Sequence, residues 1–401
     1  MNGPELFVDE IDNRLYAAIV HKGRVADIYL DPPNMTGSWA SIYLGRVTKI
    51  DSKLDAAIVD LGDGLTGYLP AKHVRLPGST EAEARTGISE LLKGGQMVLV
   101  QVKSEGRAHS SHENQKLPRL TMKLYIPGLF LVYSPNSNQV TISRRIENNK
   151  TLALTAKLKG KGGWIGQHHA EKAAAADIEF ESGYLQESWQ SIANAAEARK
   201  GQPGLLKAGP NALYRALVDH SAASFEHIYV GNKQLLDLAT GWCERHLPAL
   251  AASKRLRLFK PEKPGQRLFD IPDIYSAMEA LKENVVHLSS GGTIIIEHTS
   301  AITVIDVNQG SAESISEVNI AAAIEIARQA RMRTLSGAIL IDFINMDQKM
   351  ERVRLLEAVE LAFADDTANA QVHGFTRLGM IELTRKRRSA TLAEKLKKQA
   401  V

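Results

Sequence analysis

Two runs of aliphatic and β-branched residues, Ile302-Thr303-Val304-Ile305-Asp306-Val307-Asn308 and Ala338-Ile339-Leu340-Ile341-Asp342-Phe343-Ile344, each carry one aspartate close to the end where the chain turns polar. Runs of this length and composition read as short, largely buried strands. A carboxylate in such surroundings is costly unless a cation compensates it. Strand periodicity puts Asp306 and Asn308 on one face, so an anion and an amide oxygen are expected to project into one space. Oxygen donors of this kind suit a hard cation such as magnesium.

The rest of the composition sets bounds. At 401 residues the chain has room for roughly two to four domains. It is 44% apolar and 23% charged, as an ordinary globular protein is. The lone cysteine, Cys243, excludes disulfides within the chain and cysteine-cage zinc sites, which favours the cytoplasm. The N-terminal residues carry Glu5, Asp9, Glu10, Asp12 and Arg14 before any apolar run, the wrong order for a secretory signal, and no segment reaches membrane-spanning length. The net charge of +4 permits a polyanionic partner without demanding one. Basic residues gather at Lys150, Lys157, Lys159 and Lys161, and again at Arg385, Lys386, Arg387, Arg388, Lys395, Lys397 and Lys398. These clusters read either as phosphate ligands or as solvated chain.

Along the chain, Leu15–Val20 and Val25–Leu30 alternate around a turn at Lys22-Gly23, predicting a hairpin. Five short strands follow, at Ile42–Ile50, Ala56–Leu61, Thr66–Leu69, Met97–Lys103 and Arg119–Lys123, with an excursion over Pro77–Gly94. That spacing matches an OB-type barrel, whose exposed face commonly binds single-stranded nucleic acid. Trp39, Tyr43, Tyr68 and His73 are candidate base-stacking positions, with Lys49, Lys103 and Lys116 near them; the competing reading makes the tyrosines core or rim residues. Helices are expected over Tyr184–Lys200, Asn211–Val218 and Gln234–His246. From Val285 onward strands (Thr293–Glu297, Ala301–Val307, Gly337–Ile344, Ala370–Phe375) alternate with helices (Glu317–Arg333, Met350–Phe363), an α/β pattern. Ser314 and Glu317 have capping-box spacing. Arg328 and Arg331 share a helix face at the edge of an apolar stripe of Ile320, Ile324 and Ala327, where they hold phosphates or pair with Glu325 and other acids.

Taken together, Ile305-Asp306-Val307-Asn308, Glu325–Arg333 and Gly337–Met346 resemble the catalytic core of the bacterial ribonuclease E/G family. Ile42–Val47, Ala56–Gly62 and Gly67–Pro70 resemble its embedded barrel of the ribosomal S-one type. Lys116–Thr121, Ile142–Ile146 and Ser290–Ile296 resemble further segments, so the likeness covers nearly the whole chain. It implies an α+β multidomain architecture: a ribonuclease-H-like region (1–35 and 211–284), an inserted OB-type barrel (36–125), a 5′-sensor-like region (126–210), and a deoxyribonuclease-I-like α/β catalytic region with a basic tail (285–401). It also implies Mg2+-dependent endoribonuclease cleavage of single-stranded RNA, leaving 5′-phosphate and 3′-hydroxyl ends. Asp306 and Asp342 would be metal ligands and Asn308 would orient the scissile phosphate. Tyr43, Tyr68, Lys116, Arg144, Arg145, Arg328 and Arg331 would contact RNA.

The chain departs from that pattern in places. Gln167 and His168 stand where the family's 5′-monophosphate pocket has arginine and threonine, and Asn369 stands for a second basic residue. Asn345 replaces an aspartate and Ala321 a glutamate near the metal pair. The zinc-linking cysteines are missing, so any homodimer is expected not to be zinc-linked. Two functional classes follow, a magnesium-dependent endoribonuclease and an RNA-binding protein on the same scaffold with weak or lost catalysis. Structural burial of the two aspartates is the third reading.

Overall fold

The N-terminal segment turns back on itself because Lys22 and Gly23 adopt left-handed φ angles of 51° and 72°, the geometry that joins twisted antiparallel strands. Strands β1 (Glu5–Ile11), β2 (Arg14–His21) and β3 (Arg24–Leu30) form a meander, and β14 (Ile228–Val230) joins β1 in parallel. Phe7, Tyr16, Ile28 and Leu30 pack with Leu268, Phe269, Ile274 and Met332 in one buried cluster. These elements belong to a unit made of Met1–Leu30, Glu226–Gly231 and Phe259–Val401, and a second unit comprises Asp31–Phe225 and Asn232–Leu258. The structure, a computed structural model, describes residues 3–32, 35, 37–75, 87–106, 116–143, 146, 155–158, 162–299 and 301–397. No helix among them is long and apolar enough to cross a membrane.

In the second unit, β4 (Ile42–Asp51), β5 (Ala56–Gly62), β6 (Leu65–Pro70), β7 (Met97–Ser104) and β8 (Arg119–Thr121) run in the order β4-β5-β6-β8-β7. Pairing of β4 with β7 closes the ring, giving a five-stranded barrel consistent with an OB-type domain. Its interior holds Val47, Val59, Leu69, Val100 and Leu120, and also Tyr43. Tyr43 is only 2% exposed and its hydroxyl accepts the Gly37 N–H, so it is a core residue and not a stacking platform. His73 is likewise buried, with Nε2 3.2 Å from the Lys103 ammonium.

Further along this unit, β9 (Ile126–Pro127), β10 (Leu131–Ser134), β11 (Val140–Ile142) and β12 (Gly163–Gly166) make a small sheet. The helix that follows spans Ala175–Ala198, starting nine residues before the expected Tyr184. It runs without interruption through Gly183. Strand β13 (Gly204–Lys207) pairs with β4, and Asn211 and Asn232 cap the helices Ala212–Asp219 and Lys233–His246 through their side-chain oxygens. The short strand β15 (Leu256–Leu258) comes last. Cys243 is buried, and burial pushes its thiol up to about 12, unlike a metal-ligating thiolate.

The first unit also contains a six-stranded sheet. It is formed by β16 (Val285–His287), β17 (Thr293–His298), β18 (Ile302–Asn308), β19 (Gly337–Asp342), β20 (Gln371–Phe375) and β21 (Ile381–Arg385), in the order β16-β17-β18-β19-β21-β20. Only β18 and β19 run parallel, joined by the helix Ile315–Met332. Ser314 starts that helix as expected, its hydroxyl accepting the Glu317 N–H at 3.3 Å. Of the expected apolar stripe, Ala327 is in the core and Ile320 packs against it beside Val318, Ala322, Ile326 and Ala330, while Ile324 departs from expectation at 62% exposed.

Several residues of the C-terminal basic cluster turn inward. Arg385, on β21, is buried in an ion pair with the fully buried Asp366 and donates to the carbonyls of Ala330 and Leu335. Lys395 is buried too and donates to Leu30 O at 2.7 Å, and Arg387 pairs with Glu394. These three are structural anchors, neither phosphate ligands nor solvated charges. Lys150, Lys159, Lys161 and Lys398 lie outside the described residues.

Burial first, then Lys103 and the other cations around the barrel rim, lowers the His73 pKa to about 4 from 6.5. As pH falls, the unfolded chain therefore takes up this proton before the folded one does. The stability linked to His73 is complete above pH 6.5 and is lost as pH falls towards about 4. His169, also lowered to about 4 by burial and then by His168, acts in the same sense. The His73→Gln variant, neutral throughout, should show a shallower fall in Tm between about pH 7 and pH 4.5. Parallel curves for the two proteins would refute the assignment.

Candidate active site

Parallel pairing of β18 with β19 puts Asp306 directly opposite Asp342. Neighbouring strands lie about 4.8 Å apart, so the two carboxylates leave the sheet side by side. Both are exposed, as is Asn308 two residues on. The expectation of buried carboxylates is thus corrected. Thr303, Ile305 and Val307 alternate with them and point inward, together with Ile339 and Ile341, so the acids occupy the opposite, open face. No burial cost forces a cation on them. What remains is a pair of adjacent anions free to share one.

Asn308 serves the pair differently from the expectation. Its Nδ2 donates to Asp306 Oδ2 at 2.8 Å, so the amide nitrogen faces the carboxylate and the amide oxygen is turned elsewhere. This bond engages one oxygen of Asp306. Among the described residues no group of three or more His, Cys, Asp or Glu side chains could cage a metal ion. Asn345 is exposed and Ala321 half-buried, and neither supplies a charge. A two-carboxylate set still fits magnesium, which keeps several waters and takes other oxygens from substrate phosphates.

Two supports of this site escaped the sequence reading. Asn319, fully buried on the helix Ile315–Met332, donates to Ile344 O at 2.8 Å and accepts Ile344 N–H at 3.1 Å. This two-point clamp fixes the chain just after Asp342. Asparagine in an apolar helix face was the available signal. Gly292 is the second: a Cβ there would lie 2.7 Å from Val318 Cγ1 and 2.8 Å from Asn308 O, so only glycine lets β17 begin against the end of β18.

The expected RNA contacts are distributed unevenly. Arg328 donates to Glu325, to Val25 O and to Met332 Sδ, and Arg24 reaches Glu325 as well. Burial opposes the Glu325 charge, but Arg328 and Gln329 outweigh it and hold the pKa below the usual carboxylate range. Arg331 lies 4.0 Å from Asp27. Acid pairing, the alternative to phosphate contact, is therefore what both arginines show. Tyr68 is half-buried with its hydroxyl towards Leu54 O, whereas Lys49 and Lys116 are exposed. Arg144 and Arg145 lie outside the described residues.

The stretch that departs from the 5′-end pattern carries internal bonds. Gln167 Nε2 donates to Gly128 O at 2.7 Å. Beside it, the fully buried Glu181 accepts the consecutive N–H groups of Leu129, Phe130 and Leu131 at 2.6–2.8 Å, and His246 Nδ1 lies 3.0 Å from it. Three consecutive backbone donors around one anion form a nest. Here the chain's own carboxylate fills it. The His168 and His169 rings lie 3.6 Å apart, and Asn369 is exposed in a left-handed conformation with φ 53°.

Residues 125–388 match the Ribonuclease E/G family. Ribonuclease E of Escherichia coli (strain K12) is 33% identical over 404 residues, covering 95% of this chain but 36% of its own length. Ribonuclease G of the same strain is 29% identical over 402 residues, covering 96% of this chain and 80% of its own. Ribonuclease G of Haemophilus influenzae is 30% identical over 412 residues, covering 98% and 81%. The chain spans little more than a third of the ribonuclease E relative and most of each ribonuclease G. With the family match over residues 125–388 and these identities along nearly its whole length, the chain belongs to the Ribonuclease E/G family.

Proposed function

We propose that the chain is a magnesium-dependent endoribonuclease that cuts within single-stranded RNA and leaves 5′-phosphate and 3′-hydroxyl ends. The observation that carries this reading is the register pairing of Asp306 with Asp342 on the open face of the six-stranded sheet. Family membership supports the reaction class, since the relatives are named ribonucleases. In this reading β16–β21 and their helices are the deoxyribonuclease-I-like catalytic region, and β1–β3 with β14 belong to a ribonuclease-H-like region.

Asp306 and Asp342 would hold the cation, which when bound polarises a phosphoryl oxygen and lowers the pKa of an attacking water. The chain's own residues do the rest by position. Asn308 engages one oxygen of Asp306 through its 2.8 Å bond, and Asn319 fixes the backbone beyond Asp342. In this reading the exposed Lys49 and Lys116 of the barrel unit would meet phosphates, and the half-exposed Tyr68 ring, on the strand that pairs with β8, would meet a base. The second reading, an RNA-binding protein with weak catalysis, draws on Asn345 and Ala321, which leave the metal pair without further carboxylates.

Cleavage of a short single-stranded RNA separates the two. The parent chain is expected to cut only with magnesium, and Asp306→Asn and Asp342→Asn should each lower the rate by at least about a hundredfold. A parent that binds but never cuts supports the second reading, and a mutant as active as the parent removes the assigned site. The same RNA bearing a 5′-phosphate or a 5′-hydroxyl should be cut at similar rates, because Glu181 already fills the nest beside Gln167. A strong preference for the phosphate end would overturn that expectation. The Asn319→Ala change leaves two backbone groups of Ile344 without their partner, a loss of about 1–3 kcal/mol in urea unfolding. It should lower kcat more than it raises KM, as loosened positioning does; an unchanged kcat would limit Asn319 to the fold.

A further inference from the structure

The second unit encloses a cavity of about 390 Å3, a volume within the range of small-ligand pockets. Its chemistry is unusual for a structural void. Aromatic rings make much of the wall: Trp242 stacks on His246 with centroids 4.5 Å apart, Tyr184 meets the same imidazole edge-on at 5.0 Å, and Tyr214 lies 6.2 Å from Trp242. Tyr125, 39% exposed, stands at the solvent side.

Cations line the same space. Lys207 donates to the Ser188 hydroxyl, and among the described residues no carboxylate pairs with it. Burial, then the neighbouring Arg245, lowers its pKa, as befits an ammonium held away from water beside a second positive charge. Arg245 bonds to the Gly241 carbonyl, which leaves its charge uncompensated by that contact. The third lining cation, Arg215, is matched by Asp31 at 2.9 Å and contributes little net charge. Asp219 is the one acid of the lining, and it acts on His169. His246 faces Glu181, whose oxygens already hold three backbone N–H groups. Asn211 gives its oxygen to the Tyr214 N–H, so its NH2 group is the donor it can offer.

We propose that this cavity binds a nucleotide, with the base against the Tyr184, Tyr125 and Trp242 rings and the phosphate on Lys207 and Arg245. Aromatic faces accept any base, and an ammonium beside a guanidinium takes a phosphate. An empty hydrophobic void would need no desolvated lysine. A purely ionic site would need no ring of aromatics. The nucleotide is either a free mononucleotide or one residue of an RNA strand, and the proposal stands whether or not the chain cleaves RNA.

Calorimetric titration of the intact chain with adenosine 5′-monophosphate, with magnesium chelated, is the test. One site with a Kd below about 1 mM is expected, with adenosine and inorganic phosphate each at least about tenfold weaker. The Lys207→Gln and Tyr125→Ala variants should each weaken the mononucleotide by about tenfold while circular dichroism and Tm stay as in the parent. Should Lys207→Gln fail to fold, Arg245→Gln at the exposed side takes its place. Absence of saturable binding, or variants that bind as the parent does, overturns the proposal. A short single-stranded RNA that displaces the mononucleotide identifies the occupant as a residue of RNA, and one that leaves it bound identifies a free nucleotide.

Discussion

The parallel register of β18 and β19 is the constraint on which the candidate active site depends. Asp306 meets Asp342 only because Ile305 and Ile341, one residue earlier on each strand, are locked together in the core beneath them. A slip of one residue would turn Asp342 into that core and bring Ile341 out, an exchange that costs both apolar burial and carboxylate desolvation. The apolar cluster beneath the sheet therefore specifies the position of the acids as firmly as any bond between polar groups. Asn319 and Gly292 extend the same control to the two ends of the site, one by a hydrogen-bonded clamp and the other by having no side chain.

Strands and caps were legible in the sequence because they rest on local patterns. The five barrel strands, the Lys22-Gly23 turn and the Ser314 cap fall where alternation, glycine and capping chemistry place them. The exposure of Asp306 and Asp342 was not legible, and the reason is specific. Val304 and Leu340 on the outer face are apolar too, so the period of two that marks a half-exposed strand is hidden in a continuous aliphatic run. The strand Ile381–Arg385 was missed although its burial alternates cleanly. Its last residue looks like the start of a basic tail, whereas Arg385 is the inward-facing end of the strand.

Cations show most clearly what a sequence hides. Whether a basic residue is free depends on acids and carbonyls that are distant along the chain, as with Arg385 and Asp366 or Lys395 and Leu30 O. Arg328 has its acid three residues away, where pairing was foreseeable, yet its bond to Val25 O was not. The same limit applies to Tyr43 and His73, whose residue types suit a nucleic-acid surface and whose burial puts them inside the barrel. Composition identifies the chemistry a side chain can perform, but only packing decides whether it faces a ligand.

The exposure of the aspartate pair also changes where a metal would enter the physical argument. Buried carboxylates would require a cation for folding, and metal removal would then unfold the sheet. Exposed ones are hydrated and tolerate each other in water at a modest Coulomb cost, about 1 kcal/mol at 4 Å. Under the proposed reading, the demand for magnesium comes from the substrate: two bare anions on an open face repel a phosphodiester, and a divalent cation between them reverses the local sign. The nest around Glu181 is the converse case, since an anion bound by three backbone N–H groups needs no metal and already occupies those donors. Under the proposed reading the first site would accept a phosphate once a cation neutralises it, while the three backbone donors of the second are already taken by a carboxylate of the chain itself.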